Sequence, residues 1–206
     1  MRRLWLCVLM ISLTTVLCAC ALRQNDGEKK DAAQLIREEY RSLASCDMTA
    51  GVRWQNGEET ADYTLHCLWR KNGTATVEIL APEELAGICA EYDGDALSLR
   101  YDGVSLAAGE DGESLSPARC LPEIMDAVCN GYVLQKGTEE VEGAQCLYLL
   151  LEGEDGGGAV QYAVWFGSGH VPVRAEVITA EHVAVEVAFQ DFTAEEAGGA
   201  ADSASA

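Results

Sequence analysis

From Val52 to Phe189 the chain alternates apolar and polar residues in short runs. Val52 and Trp54 alternate with Arg53 and Gln55, and Tyr63, Leu65, Cys67 and Trp69 with Thr64, His66 and Arg70. Ala75, Val77 and Ile79 follow, then Leu97, Leu99 and Tyr101. Three later runs read the same way: Val160 to Phe166, Val171 to Val177 and Val183 to Phe189. A period of two places alternate side chains on opposite faces, so each run predicts a strand with one buried face. The segment Gln145 to Glu152 differs. Cys146, Tyr148 and Leu150 occupy one face and Leu147, Leu149 and Leu151 the other, which predicts a strand covered on both sides.

The breaks between these runs are Asn56-Gly57, Asn72-Gly73, Asp93-Gly94, Asp102-Gly103, Asp155-Gly156 and Gly167-Ser168-Gly169. Such pairs reach the positive φ that tight hairpin turns require. Turns this frequent between adjacent short strands predict an antiparallel meander. They also assign Asp102 and Asp155 to turns rather than to catalysis.

Two segments change to helical spacing. Ala33, Ile36, Tyr40 and Leu43 recur at three and four residues after Asp31, whose spacing to Gln34 is that of a capping box. Leu121, Ile124, Met125, Val128 and Cys129 form a second apolar stripe, with start signals at Ser116-Pro117 and Pro122 and a stop at Asn130-Gly131. Pro82 to Gly87 fits a short helical turn. Strands with interspersed helices make the chain α+β, in a domain spanning residues 31–193. Residues 194–206, rich in Ala, Gly, Ser and Glu, are expected to be disordered.

The first residues carry an address. Arg2 and Arg3 precede an apolar stretch from Leu4 to Leu17, followed by Cys18-Ala19-Cys20. This is the layout of an export signal. The Leu17-Cys18-Ala19-Cys20 box resembles a bacterial lipobox, which implies cleavage of residues 1–19 and lipidation of Cys20, with residues 20–30 as a tether. Leu17 is too bulky to precede an acceptor at Cys18. The competing expectation is an uncleaved anchor, because Leu4 to Leu22 approaches the ~20 residues that span a bilayer.

Charge narrows the partners. The chain has 34 acidic against 14 basic residues, and loss of Arg2 and Arg3 would take the net charge from -20 to -22. Such a surface repels nucleic-acid phosphates and anionic headgroups. Six cysteines remain beyond Cys20: Cys46, Cys67, Cys89, Cys120, Cys129 and Cys146. They contain no C-x-x-C pair, so zinc is not indicated. Cys120 and Cys129 flank one helix at roughly 13 Å, beyond disulfide reach, and the other pairings stay open.

Chemistry leaves little trace. The sequence has no H-E-x-x-H, no G-x-S-x-G, no S-x-x-K and no P-loop. His66 lies on a polar strand face, His170 follows a turn, and His182 shares a face with Glu186. Glu83-Glu84 and Glu139-Glu140 are adjacent, so their carboxylates diverge. The expectation is a protein without catalytic residues, metal or cofactor.

The order of segments resembles the LolA/LolB/RseB superfamily. The matching stretches are Tyr63 to Arg70, Val77 to Ile88 (with Ala81-Pro82-Glu83-Glu84-Leu85), Leu97 to Gly103, Leu115-Ser116-Pro117, Leu121 to Ile124, Tyr162 to Phe166, Pro172 to Glu176 and Val187 to Phe192. The resemblance implies an unclosed, strongly curved antiparallel half-barrel with helices on its concave side. It further implies binding of acyl chains or protein partners without covalent chemistry. Among lipid-anchored versions the chain looks most like germination and sporulation lipoproteins of Gram-positive bacteria. On this reading it is an extracytoplasmic scaffold held by Cys20 at the membrane, with an envelope protein, a lipid or a second copy as partner. Lipid binding and envelope-stress sensing are the alternatives. The candidate ligand or partner surface is Tyr148, Leu150, Leu147, Leu149 and Leu151 with Ile124, Met125 and Val128. A lipid-fixed domain is ill suited to ferrying cargo, which shifts the weight from carrier to scaffold.

Overall fold

The computed structural model describes residues 31–94, 96–110, 116–153, 160–179 and 182–197. The proposed signal, Cys20, the tether, Asp155-Gly156 and residues 198–206 lie outside them. The described residues from Ala32 onward form one compact unit. Among them no helix is long and apolar enough to cross a membrane.

Eleven strands form one antiparallel sheet. They are β1 (Leu43–Asn56), β2 (Glu59–Arg70), β3 (Thr74–Ala81), β4 (Cys89–Asp93), β5 (Ala96–Tyr101), β6 (Val104–Glu110), β7 (Tyr132–Val141), β8 (Ala144–Glu152), β9 (Val160–Phe166), β10 (Pro172–Thr179) and β11 (His182–Glu196). Their spatial order is β6-β5-β4-β3-β2-β1-β11-β10-β9-β8-β7, so the sheet is open, with β6 and β7 at its edges. Each half is a local meander, and β1 against β11 joins the halves. Among the described residues there are two α-helices, α1 (Ala32–Ser42) and α2 (Cys120–Asn130), the latter between β6 and β7.

The turn chemistry works as the sequence predicts. Asp102 and Gly103 both take positive φ, 47° and 78°, between β5 and β6, the geometry of a two-residue primed turn. Glu142-Gly143 makes a like turn between β7 and β8, with φ of 51° and 83°. No Asn or Asp marks that one. Pro82 to Gly87 contains a 3-10 turn at Glu83–Leu85.

One face of the sheet carries the main core. Met48, Ala50 and Val52 of β1, Leu65, Cys67 and Trp69 of β2, Leu149 and Leu151 of β8, and Val164 and Phe166 of β9 are buried there with Ile36, Leu121, Ile124, Met125 and Val128 of the helices. The helices therefore cover this face. Hydrogen bonds fix their seating: Trp69 Nε1 donates to Asp126 Oδ1 at 2.9 Å, and Tyr162 OH to Glu123 Oε2 at 3.2 Å. A helix leaves its last carbonyls without intrahelical partners. Here α1 supplies them, as Arg41 Nε donates to Cys129 O at 2.7 Å and Arg37 Nη2 to Gly131 O at 2.6 Å. Burial, then the neighbouring Arg41, pulls the Arg37 pKa below its ordinary value.

Several expectations need correction. Leu43, assigned above to the apolar stripe of α1, opens β1 instead. Strands β4, β6 and β7 had no counterpart in the periodicity, because β7 is largely exposed on both faces and β4 has only five residues. The tail predicted to be disordered from Ala194 is paired as far as Glu196: Ala194 faces Cys46 and Glu196 faces Leu43.

Candidate binding site

Strand β8 is covered on both sides, as its sequence predicts, but by different means. Leu149 and Leu151 are buried under the helices, with Leu147 packed beside them. On the opposite face Cys146, Ala163 and Trp165 form a second cluster with Val141, Tyr148, Leu150, Val173 and Ile178. Neighbouring strands close this cluster. Trp165 Nε1 donates to Glu139 Oε2 at 2.8 Å, the Arg174 guanidinium lies 5.3 Å from the indole centroid, and the Tyr148 ring lies 5.1 Å from it. Burial raises the Tyr148 pKa, and Glu139 and Glu176 add to the effect.

The residues proposed as one ligand or partner surface thus divide. Ile124, Met125, Val128, Leu149 and Leu151 are sealed in the core, each at most 1% exposed in this conformation. Leu147, Tyr148 and Leu150 are half-buried. Periodicity identifies which residues share a face; it does not say which face is already filled.

Exposed apolar side chains lie elsewhere, at Tyr132 and Leu134 on the β7 edge (60% and 47% exposed), at Leu80 (45%), and in a row on the β5–β6 hairpin. Leu99, Tyr101, Val104 and Leu106 are 39%, 56%, 60% and 65% exposed. Leu99 is registered against Leu106, and Tyr101 against Val104, so all four stand on one face of the β5–β6 hairpin. Ala90, registered against Leu99 on the inner side, belongs to the main core. The helix-covered face therefore continues onto the hairpin beyond the helices. The sequence carried a signal for Leu99 and Tyr101, but not for β6.

A cavity of about 820 Å³ opens on the face opposite the helices. Gly51 of β1 and Ala188 of β11, registered directly against each other, lie at its floor. Val141, Cys146 and Val173 join it to the second apolar cluster. Across the next row the register runs Glu176, Glu186, Arg53, Asp62. Arg53 Nε meets Asp62 Oδ1 at 2.9 Å and Arg174 Nη2 meets Glu176 Oε1 at 2.5 Å. Asp62, first by its hydrogen bond, holds the Arg53 pKa above its usual value, and Glu186 adds to this.

None of the histidines assembles a reaction centre. His66 Nε2 lies 2.9 Å from Asp47 Oδ1, and His170 Nδ1 lies 2.6 Å from Glu39 Oε2. Among the described residues no group of His, Cys, Asp or Glu could hold a metal ion. All six cysteines are buried and unpaired. Burial raises the thiol pKa of Cys46, Cys67, Cys120 and Cys129, with Cys129 pushed up to about 11. Such thiols are poor nucleophiles.

No family model matches the sequence, and no curated protein matches it. Solved structures do show likeness. A DUF1329 family protein from Desulfovibrio piger is 11% identical, with a TM-score of 0.49, covering 82% of this chain and 92% of its own. The LolA superfamily protein NE2245 from Nitrosomonas europaea is 14% identical, with a TM-score of 0.43, over 80% of this chain and 94% of its own. The GerS lipoprotein structure from Clostridioides difficile, in complex with the CwlD amidase, is 14% identical, with a TM-score of 0.37, over 83% and 98%. The described residues form an open antiparallel sheet with two helices, the unclosed sheet expected from the sequence.

Proposed function

We propose that this chain is a lipid-anchored, extracytoplasmic binding module that holds another cell-envelope protein and performs no covalent chemistry. One observation carries the reading: the apolar row Leu99, Tyr101, Val104 and Leu106 on a hairpin that ends the sheet. Among the described residues no strand pairs with the outer side of β6, and an extended segment can add there through main-chain hydrogen bonds. The occupant is a strand of a partner protein bearing alternate apolar residues. Net charge argues against the other occupants, since a chain at -20 repels both anionic headgroups and a second copy of itself. On this reading the helices lie on the concave side of the sheet and Cys20 supplies the anchor. The GerS lipoprotein also forms a complex with another protein, the CwlD amidase, but the reading rests on this chain's own surface.

Binding of an acyl chain between α2 and the sheet has less support. Ile124, Met125, Val128 and Leu149 are closed core there, and entry would have to displace them.

A photo-crosslinker placed at Tyr101 in intact cells tests the reading. The expected result is a discrete protein adduct that disappears in Leu106→Lys and depends on Cys20. Cross-linking only to lipid, only to another copy, or to nothing would reject it.

A further inference from the structure

We infer that the cavity on the face opposite the helices is a second binding site, and that it takes an extended peptide segment bearing lysine or arginine. This inference is independent of the hairpin and does not rest on the function proposed above.

Size and shape come first. At about 820 Å³ the cavity falls within the roughly 300–1,000 Å³ of ligand sites. Its floor lies low in the middle of the sheet, where Gly51 of β1 pairs with Ala188 of β11. A Cβ added to Gly51 would meet only Gln190 Nε2, at 3.6 Å. Packing within the domain therefore does not demand a glycine there. Glycine inside a strand costs stability and marks a bulge or a place where a ligand or another backbone comes close; the β1–β11 register shifts at Thr49/Ala50 beside Gly51, and the low floor it leaves is open to an occupant. Ala188 directly opposite keeps the same floor low.

Charge then selects the occupant. Both lining arginines are committed, Arg53 to Asp62 and Arg174 to Glu176. Glu140, Glu142 and Glu186 line the same cavity and form no ion pair among the described residues. Glu186 stands in the row between Glu176, which is paired with Arg174, and Arg53, which is paired with Asp62. With both arginines held by other carboxylates, a cationic side chain entering over Glu140, Glu142 and Glu186 meets an excess of negative charge. Val141 and Val173 offer the apolar contact that a bare polycation does not use. Extended peptide with alternate basic and small apolar residues satisfies the floor, the walls and the rim together.

The test uses the full-length protein in detergent and a short fluorescent peptide alternating lysine with alanine or valine, read by anisotropy at low and high salt. Binding is expected to weaken with salt, and to fall about tenfold in Glu140→Gln/Glu142→Gln, the effect of two lost charge contacts. Ala188→Trp fills an exposed floor position and is expected to abolish binding while leaving the melting temperature unchanged. Leu106→Lys on the β5–β6 hairpin is expected to bind the peptide normally, which separates this site from the first. Three results would overturn the inference: no binding at low salt, equal binding by Ala188→Trp, or displacement by spermidine at the peptide's own affinity.

Discussion

Trp165 and Glu139 join two strands that are not neighbours: the indole Nε1 of β9 donates to the carboxylate of β7 at 2.8 Å, over the top of β8. This contact ties an edge strand to the body of the sheet on the face opposite α1 and α2. Arg174 stacks on the same ring from the other side. Removing the indole would open the second apolar cluster and leave both polar partners without it. Trp165→Ala should cost about 3–5 kcal/mol, and Glu139→Gln about 1 kcal/mol as a charged acceptor becomes neutral. Chemical denaturation of the two variants against the parent checks both values. Equal stability of Trp165→Ala and the parent would show that this cluster contributes nothing.

Gly131 offers a sharper contrast. A Cβ there would lie under 3.0 Å from the carbonyl oxygens of both Glu152 and Ala127, and neither is free to swing away. Gly131→Ala should therefore shift the end of α2, break the Arg37 contact and destabilise the domain by more than about 2 kcal/mol. Gly137→Ala, with open space at the same added atom, should change stability by less than about 0.5 kcal/mol. Thermal melts of the pair decide it.

The buried thiols predict loss of stability in alkali. A cysteine in the unfolded chain ionises near pH 8.5, whereas burial holds the proton on Cys129 to about 11. Between those values the unfolded state releases a proton that the native state keeps. Stability is then full below about pH 8.5 and falls by up to about 1.4 kcal/mol per pH unit per thiol up to the native pKa. Cys46, Cys67 and Cys120 add slope in the same direction. Urea midpoints from pH 7.5 to 10.5 should show the decline, and Cys129→Ser should flatten it. In parallel, alkylation of the native protein at pH 8 should leave all six thiols unmodified until denaturant is added.

Exposed and buried leucines should behave oppositely. Leu106→Lys, at a site 65% exposed, should leave the unfolding free energy within about 0.5 kcal/mol of the parent while abolishing partner cross-linking. Leu149→Ala, in the core, should cost about 2–5 kcal/mol. A large stability loss in Leu106→Lys would place this residue in the fold rather than in a docking surface.

Much of this architecture can be read from residues with one environment on each face. Tyr63, Leu65, Cys67 and Trp69 alternate with polar neighbours because helices cover one side of β2 and solvent the other. The same logic hides β7. Its Gln135, Lys136, Thr138, Glu139 and Glu140 are exposed in sequence-polar company at a sheet edge, so no alternation survives. Helix α2 was legible from its stripe and stop signal, and so was the two-sided burial of β8. The candidate site was less legible. Gly51 and Ala188 form a floor only because β1 and β11 pair, and they are separated by most of the chain. No local pattern reports such a meeting.

The pairing of β1 with β11 also governs the order of events after synthesis. All other strand contacts join consecutive strands, so each meander can form as soon as its own segment is available. The seam cannot, because β1 must wait for the last strand to arrive. Until then β1 and Met48 in its middle offer an open apolar edge to any neighbour. A chain shortened before His182 would keep that edge permanently. Under the export proposed above, a chain crossing the membrane unfolded would need shielding for as long as its C-terminal end remained on the other side.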